Sequence, residues 1–155
     1  MLFGNKMDKI AKLAEKGDAV KLAALVGDKK MDVCLAAIDA LGKCKGDDPF
    51  NALVPLLHSP NADVRAHAAS ALGALADPRG RAHLDHQRKN EKDPAVLKAV
   101  EGALGKIVND TMCRHFPDIV DITFTAGMEE QLDEVEEGKL DWHKVLSDFY
   151  GPFEK

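Results

Sequence analysis

The chain has 155 residues, of which 45% are apolar, 30% charged and 5% aromatic, and its formal net charge is −5. That length fits one domain, or one domain with an appendage, and the apolar fraction is that of a water-soluble globular protein, which sets aside disordered and membrane-embedded classes. The charge is unevenly placed: residues 1–105 sum to +2 and residues 106–155 to −7, so the back of the chain repels phosphate and is a poor nucleic-acid surface by itself.

The opening, Met1-Leu2-Phe3-Gly4-Asn5-Lys6, lacks the apolar run of a secretory signal. No stretch reaches the roughly 20 consecutive apolar residues that a membrane-spanning helix needs. The first helical pattern is Leu22, Leu25 and Val26, with Gly27 as its stop. A longer stripe follows at Val33, Ala37, Ala40, Leu41 and Cys44, with Gly46 as a further stop. Leu53, Leu56 and Leu57 repeat the first pattern 31 residues later, and Pro55 inside that helix should bend it. Val64, Ala68, Ala71, Leu72 and Leu75 repeat the second. The third copy is Val96, Val100, Ala103, Leu104 and Ile107, and its phase continues through Val108 and Met112. One helix is therefore expected from Pro94 to about His115, where Phe116-Pro117 ends it. Asp48-Pro49, Asp77-Pro78 and Asp93-Pro94 each read as a helix start, because Asp accepts the free amides of a first turn and Pro arrives with its φ already set.

One tripeptide fixes the register. Ala40-Leu41-Gly42, Ala71-Leu72-Gly73 and Ala103-Leu104-Gly105 lie 31 and then 32 residues apart. That periodicity marks an array of helical pairs in which no unit buries its apolar face alone. The expected class is all-α, and the cooperative core should run from about Asp18 to Ile107. The stretch Leu53-Val-Pro-Leu-Leu-His-Ser-Pro-Asn-Ala-Asp-Val-Arg-Ala-His-Ala-Ala-Ser-Ala-Leu-Gly-Ala-Leu-Ala-Asp-Pro-Arg79 resembles the HEAT-like repeat family, and the resemblance covers about residues 8–107. It implies a short right-handed solenoid whose second helices line the inner surface. Asp39, Arg65, Ser70 and Glu101 are then the positions expected to meet a partner. The family's Asp and Arg near the second helix start occur together only in the middle unit, as Asp63 and Arg65.

From about Lys106 the repeat signal ends. Thr125 reads as the cap of a helix with Met128, Leu132 and Val135 on one face, closed by Gly138. Asp141 caps a second, with Trp142, Val145, Leu146 and Phe149 in a stripe. The expectation is a solenoid over residues 1–107 and an acidic helical hairpin within 108–155. The run Phe124-Thr-Ala-Gly-Met-Glu, with Gly138-Lys-Leu-Asp-Trp142 and Asp148-Phe-Tyr-Gly-Pro-Phe153, is similar to the part of bacterial type IA DNA topoisomerases that closes the cleavage core before the zinc-ribbon tail. That family works through an Asp-x-Asp metal cluster and a tyrosine in a Tyr-x-Arg-Thr setting. Tyr150 is the single tyrosine and stands in Asp-Phe-Tyr-Gly-Pro, and the ribbon cysteines are missing, so the activity does not carry over.

Other residues invite sharper readings. His83 and His86 lie three apart on a predicted helix, but two ligands make a weak metal site and solvated histidines are the reading kept. His67 reads as a packing or surface residue. The three cysteines, Cys34, Cys44 and Cys113, form no Cys-x-x-Cys pair and are odd in number, which fits reduced thiols in a cytoplasmic setting. Cys34 and Cys113 read as small buried hydrophobes. Arg79, Arg81, Arg88, Lys89 and Lys92 form a basic run, but Asp77, Asp85, Glu91 and Asp93 interleave with it, as on a solvated face. No cofactor, no metal and no membrane contact is expected. The function expected is a non-catalytic protein-interaction scaffold with a protein partner, nucleic acid being disfavoured. The alternative is a DNA-associated protein or a catalytically dead topoisomerase remnant.

Overall fold

The computed structural model describes residues 2–115, with side chains from Lys6 to Thr111. Backbone packing divides the chain into two units, Met1–Asp118 and Ile119–Lys155, and the described residues all belong to the first. The expected hairpin, with Thr125, Gly138, Asp141, Trp142 and Tyr150, lies outside the described residues, as do the Phe116-Pro117 stop and the side chain of Cys113. The described residues form seven α-helices and one 3-10 helix, without a strand among them: α1 (Leu2–Lys16), α2 (Ala19–Val26), α3 (Met31–Leu41), α4 (Asp47–Leu53), the 3-10 helix Val54–His58, α5 (Ala62–Leu75), α6 (Gly80–Asn90) and α7 (Pro94–His115). None of the described helices is long and apolar enough to cross a membrane.

Helices α1, α3, α5 and α7 pack in succession as one layer, while α2, α4 with the 3-10 helix, and α6 lie against them as the other. The core sits between the layers. Leu22, Leu53 and Leu84 are wholly buried in the first helices, and Leu41, Leu72 and Leu104 in the second. The all-α repeat architecture is thus as the periodicity requires. Two elements go beyond it. Helix α1 brings Ile10 and Leu13 into the core, so the core begins before Asp18. Its end is a Schellman motif: Gly17 has φ 67°, and the amides of Gly17 and Asp18 donate to the carbonyls of Ala14 and Leu13. Helix α6 completes the third pair, and Leu84 stands 31 residues after Leu53 just as Leu53 stands 31 after Leu22.

The Ala-Leu-Gly tripeptide has a packing reason. A Cβ on Gly42 would lie 3.0 Å from the Ala71 Cα, and one on Gly73 would lie 2.6 Å from the Ala103 Cα. Each glycine lets the next unit's alanine come down on helix backbone, while the leucine between them fills the core. The spacing of this contact, one unit to the next, is what the 31- and 32-residue intervals record.

Helix ends follow local chemistry, with corrections. Asp93 Oδ1 accepts from the amides of Ala95 (2.9 Å) and Val96 (3.3 Å) and caps α7. Asp18 caps α2 through the Lys21 amide (3.2 Å), and Asn61 caps α5 through those of Asp63 (2.8 Å) and Val64 (3.4 Å). Asp77-Pro78 does not start α6: Asp77 holds a turn by accepting from the Arg79 amide (2.9 Å), and the helix begins at Gly80. Asp48-Pro49 likewise falls inside α4, one residue after its start at Asp47. Gly46 is no stop either. It is the N-cap of α4 at φ 101°, a backbone that favours glycine, because α3 has already ended at Leu41 and Cys44 lies in the turn beyond. Pro55 does more than bend its helix. It has no amide hydrogen to donate, so the α-helix ends at Leu53 and the chain continues as 3-10 helix.

Candidate functional site

Counting from the Ala-Leu-Gly register sorts the outward positions of the second helices. Leu35, Ala66 and Lys98 are equivalent, as are Ile38, Ala69 and Glu101, and as are Asp39, Ser70 and Gly102. Ile38 and Ala69 are fully buried beneath the following helix. Glu101, in the same place on α7, is exposed. Charge thus stands on α7 where the two preceding second helices carry apolar surface. Glu101 therefore does not share a row with Asp39 and Ser70. The single extra residue between the second and third tripeptides turns it about 100° around the helix, away from them.

Asp39 and Ser70 are both exposed. Asp39 Oδ1 lies 2.7 Å from His67 Nδ1, a bridge between α3 and α5. His67 is thus neither a plain packing residue nor a free one. Ser70 lies in a groove of about 330 Å³ beside α7, with Ala99, Gly102, Lys98 and Lys106 around it.

Arg65 is placed differently. Its Nε donates to Glu91 Oε2 (2.9 Å) and its Nη2 to Glu91 Oε1 (3.1 Å), a bidentate pair. Its Nη1 donates to the carbonyls of Ser59 (2.9 Å) and Pro60 (3.3 Å). The Glu91 side chain is only 6% exposed. It also accepts from Gln87 Nε2 (2.6 Å) and from the amides of Lys92 and Asp93 (3.0 Å each). The Arg65 guanidinium draws its carboxyl down to about 2, against the opposing effect of burial, with the Asp93 and Lys92 amides and Gln87 helping. Arg65 therefore fastens the start of α5 to the loop before α7. Asp63, the nearer acid in sequence, is not its partner. Glu91 was hidden from sequence reasoning because the pair spans 26 residues and two loops.

The other candidates resolve into structural contacts. Arg79 donates to Asp47 (2.7 Å) and Asp77 (2.6 Å) and stacks on the Phe50 ring at 4.6 Å. Those two carboxylates, Asp77 foremost, raise its pKa. Arg88 pairs with Asp85 at 3.0 Å and Arg81 approaches the same carboxylate at 3.9 Å. These arginines of the basic run are thus matched by the acids that interleave with it. His83 meets the Phe50 ring edge-on at 6.0 Å, and His86 lies beside Asn90. No group of three His, Cys, Asp or Glu side chains able to hold a metal occurs among the described residues. Cys34 and Cys44 are buried, and burial pushes both thiols up, with Asp28 and Asp18 adding to it. A cavity of about 620 Å³ between the ends of α3 and α5 is lined by charged side chains, Lys45, Asp47, Asp77, Arg79 and Asp110.

Stacked helical pairs and small-residue contacts between successive second helices define an α-helical repeat protein. The chain belongs to the HEAT repeat family: the family described as HEAT repeats matches residues 19–110. A second similarity is of another kind. DNA topoisomerase 1 of Treponema pallidum (strain Nichols) is 52% identical over 50 residues, which is 32% of this chain and 7% of that protein. DNA topoisomerase 1 of Fervidobacterium islandicum is 54% identical over 52 residues, 34% of this chain and 7% of that protein. That of Pseudomonas aeruginosa is 48% identical over 52 residues, with 34% and 6% covered. The chain thus spans only 6–7% of the length of these curated relatives. It carries both HEAT repeats and a topoisomerase-like segment of about a third of its length, as the two resemblances in its sequence imply.

Proposed function

We propose that this chain is a non-catalytic protein-interaction scaffold of the cytoplasm. In this reading residues 1–107 supply the binding repeats and residues 108–155 form a separate acidic segment. The carrying observation is that the second-helix layer keeps one face out of the core, with the Asp39–His67 bridge (2.7 Å) on it and the Ser70 groove beside α7. A repeat array offers such a face to a partner because each helix is held by its neighbours and not by the ligand, so binding costs little ordering. Asp39 and Ser70 are the partner contacts proposed. Arg65 contributes by holding α5 against the loop before α7, and Glu101 lies off the shared row. Site-specific photo-crosslinking tests this. A benzophenone side chain at Ser70 should capture a defined protein, and one at Lys89 on the outer layer should not. Equal capture at both positions, or none at Ser70, refutes the reading.

The similarity to DNA topoisomerase 1 favours a second reading, a DNA-associated protein or a remnant of such an enzyme without its chemistry. The two separate in a gel-shift assay across a salt series, because phosphate contacts release counterions and weaken steeply with salt. Under the scaffold reading no shift appears. Supercoiled DNA should also stay unrelaxed with or without magnesium, and relaxation that vanished in Tyr150→Phe would overturn the non-catalytic assignment.

A further inference from the structure

The groove between α5 and α7 has a chemistry that names its ligand class. Its floor holds no side chain larger than serine, with Ser70, Ala99 and Gly102 among its residues. A Cβ built on Gly102 would meet nothing within 4 Å, so a peptide backbone can approach the helix closely there. Lys98 and Lys106 are the two charged residues of its lining, and both are exposed. Neither makes an ion pair with a described residue. That sets them apart from Arg65, Arg79 and Arg88, whose carboxylates are already in place. The acids nearest in sequence do not fill the gap. Asp93 accepts from the amides of Ala95 and Val96 at the start of α7, Glu101 occupies the row equivalent to Ile38 and Ala69 and does not line the groove, and Asp110 lines the cavity at the ends of α3 and α5.

We infer that this groove binds an acidic peptide segment of a protein partner, with carboxylates paired to Lys98 and Lys106. This rests on the interaction-scaffold reading. The two lysines are eight positions apart on one helix, about 12 Å along its axis. An extended segment covers that distance in about four residues at ~3.3 Å each, so acidic residues four apart meet both ammonium groups. A small floor between two cations suits a main chain lying along the groove with its carboxylates at either end. Duplex DNA is served poorly by the same surface. A binder making about 6–10 phosphate contacts draws on many cations, and the two lysines of this groove fall well short.

The test is fluorescence anisotropy on the full chain at low salt. The probes are a labelled poly-glutamate peptide, its poly-lysine counterpart and a labelled DNA duplex. Poly-glutamate should bind through Lys98 and Lys106, whereas poly-lysine, drawn to the acidic residues 106–155, should be insensitive to replacement of those two lysines. The double variant Lys98→Gln/Lys106→Gln should weaken poly-glutamate binding by about tenfold, as two partly solvated charge pairs do. Lys89→Gln/Lys92→Gln, at the end of α6 and in the loop beyond it, should leave it unchanged. Equal circular dichroism spectra and melting curves establish that each variant is folded. The inference is overturned if poly-glutamate does not bind, if both double variants weaken it equally, or if the duplex binds through Lys98 and Lys106. Its failure is distinguishable from that of the scaffold reading: a protein crosslinked through Ser70 by a neutral or basic segment removes the acidic class and leaves the scaffold, whereas absent crosslinking at Ser70 removes both.

Discussion

Replacing Gly73 by alanine isolates the contact that sets the repeat. In an open helix the change should stabilise, because alanine is the better helix former by about 1 kcal/mol. Gly102, around which a Cβ finds empty space, is that open case, and Gly102→Ala should gain about 0.5–1 kcal/mol. At Gly73 the new methyl would lie 2.6 Å from the Ala103 Cα and 2.8 Å from its Cβ. Carbon atoms in contact sit about 3.5–4.0 Å apart, so α5 and α7 must separate by roughly 1 Å. The obstacle is backbone and a methyl stub, neither of which can swing aside. Overpacking of this kind costs typically about 1–3 kcal/mol, and the weakened dispersion along the helix interface adds to it. Gly73→Ala should therefore be net destabilising by about 1–3 kcal/mol. Gly42→Ala, where the closest approach is 3.0 Å, should fall between the two. Urea unfolding followed by far-ultraviolet circular dichroism measures all three, with the midpoint shifting and the slope unchanged. Ala103→Gly removes the Cβ at 2.8 Å but leaves the Cα, so it should cost less in the Gly73→Ala background than in the parent chain, a coupling that independent sites would not show. If Gly73→Ala stabilises as much as Gly102→Ala, the helices are not in backbone contact and the explanation of the tripeptide fails.

Leu72→Ala should cost about 2–5 kcal/mol in the same titration, since Leu72 is fully buried; a loss below about 1 kcal/mol would place it outside the core. Glu91 has its folded pKa depressed from the ordinary 4.5 to about 2, so the stability it contributes is complete above 4.5 and is lost as the pH falls toward 2. Glu91→Gln should lower stability at neutral pH and flatten its decline in that acid window, and an unchanged pH profile in the variant would show that the Arg65 pair does not form in solution. Ala76 ends α5 in the left-handed region at φ 52°, where glycine has no Cβ to strain, so Ala76→Gly should stabilise by about 0.5–1 kcal/mol; a destabilised variant would mean that the helix ends in another conformation.

Much of the architecture is local and legible as such. A helical stripe declares itself within about four turns, so Val33 to Leu41, Val64 to Leu75 and Val96 to Ile107 can be read from spacing alone, as can the Asp93 cap and the long helix from Pro94. The repeat period carries the pairing of those helices, because each unit must bury its stripe on the next. Helix α6 is less legible because its surface is nearly all polar and a single leucine, Leu84, marks its place in the 31-residue count. The start expected at Asp77 falls elsewhere because an Asx turn before a helix and a cap on the helix use the same residues, and the start expected at Asp48 is displaced by one residue because α4 begins at Asp47 behind Gly46. The site is decided almost wholly in three dimensions. Whether Arg65 meets Asp63 or Glu91, whether Asp39 is free or held by His67, and which lysines are left without a carboxylate depend on which segments come together 26–28 residues apart. Side-chain charge is written in the sequence, but its pairing is a property of distance, and distance between helices is set by a glycine in one unit and an alanine in the next.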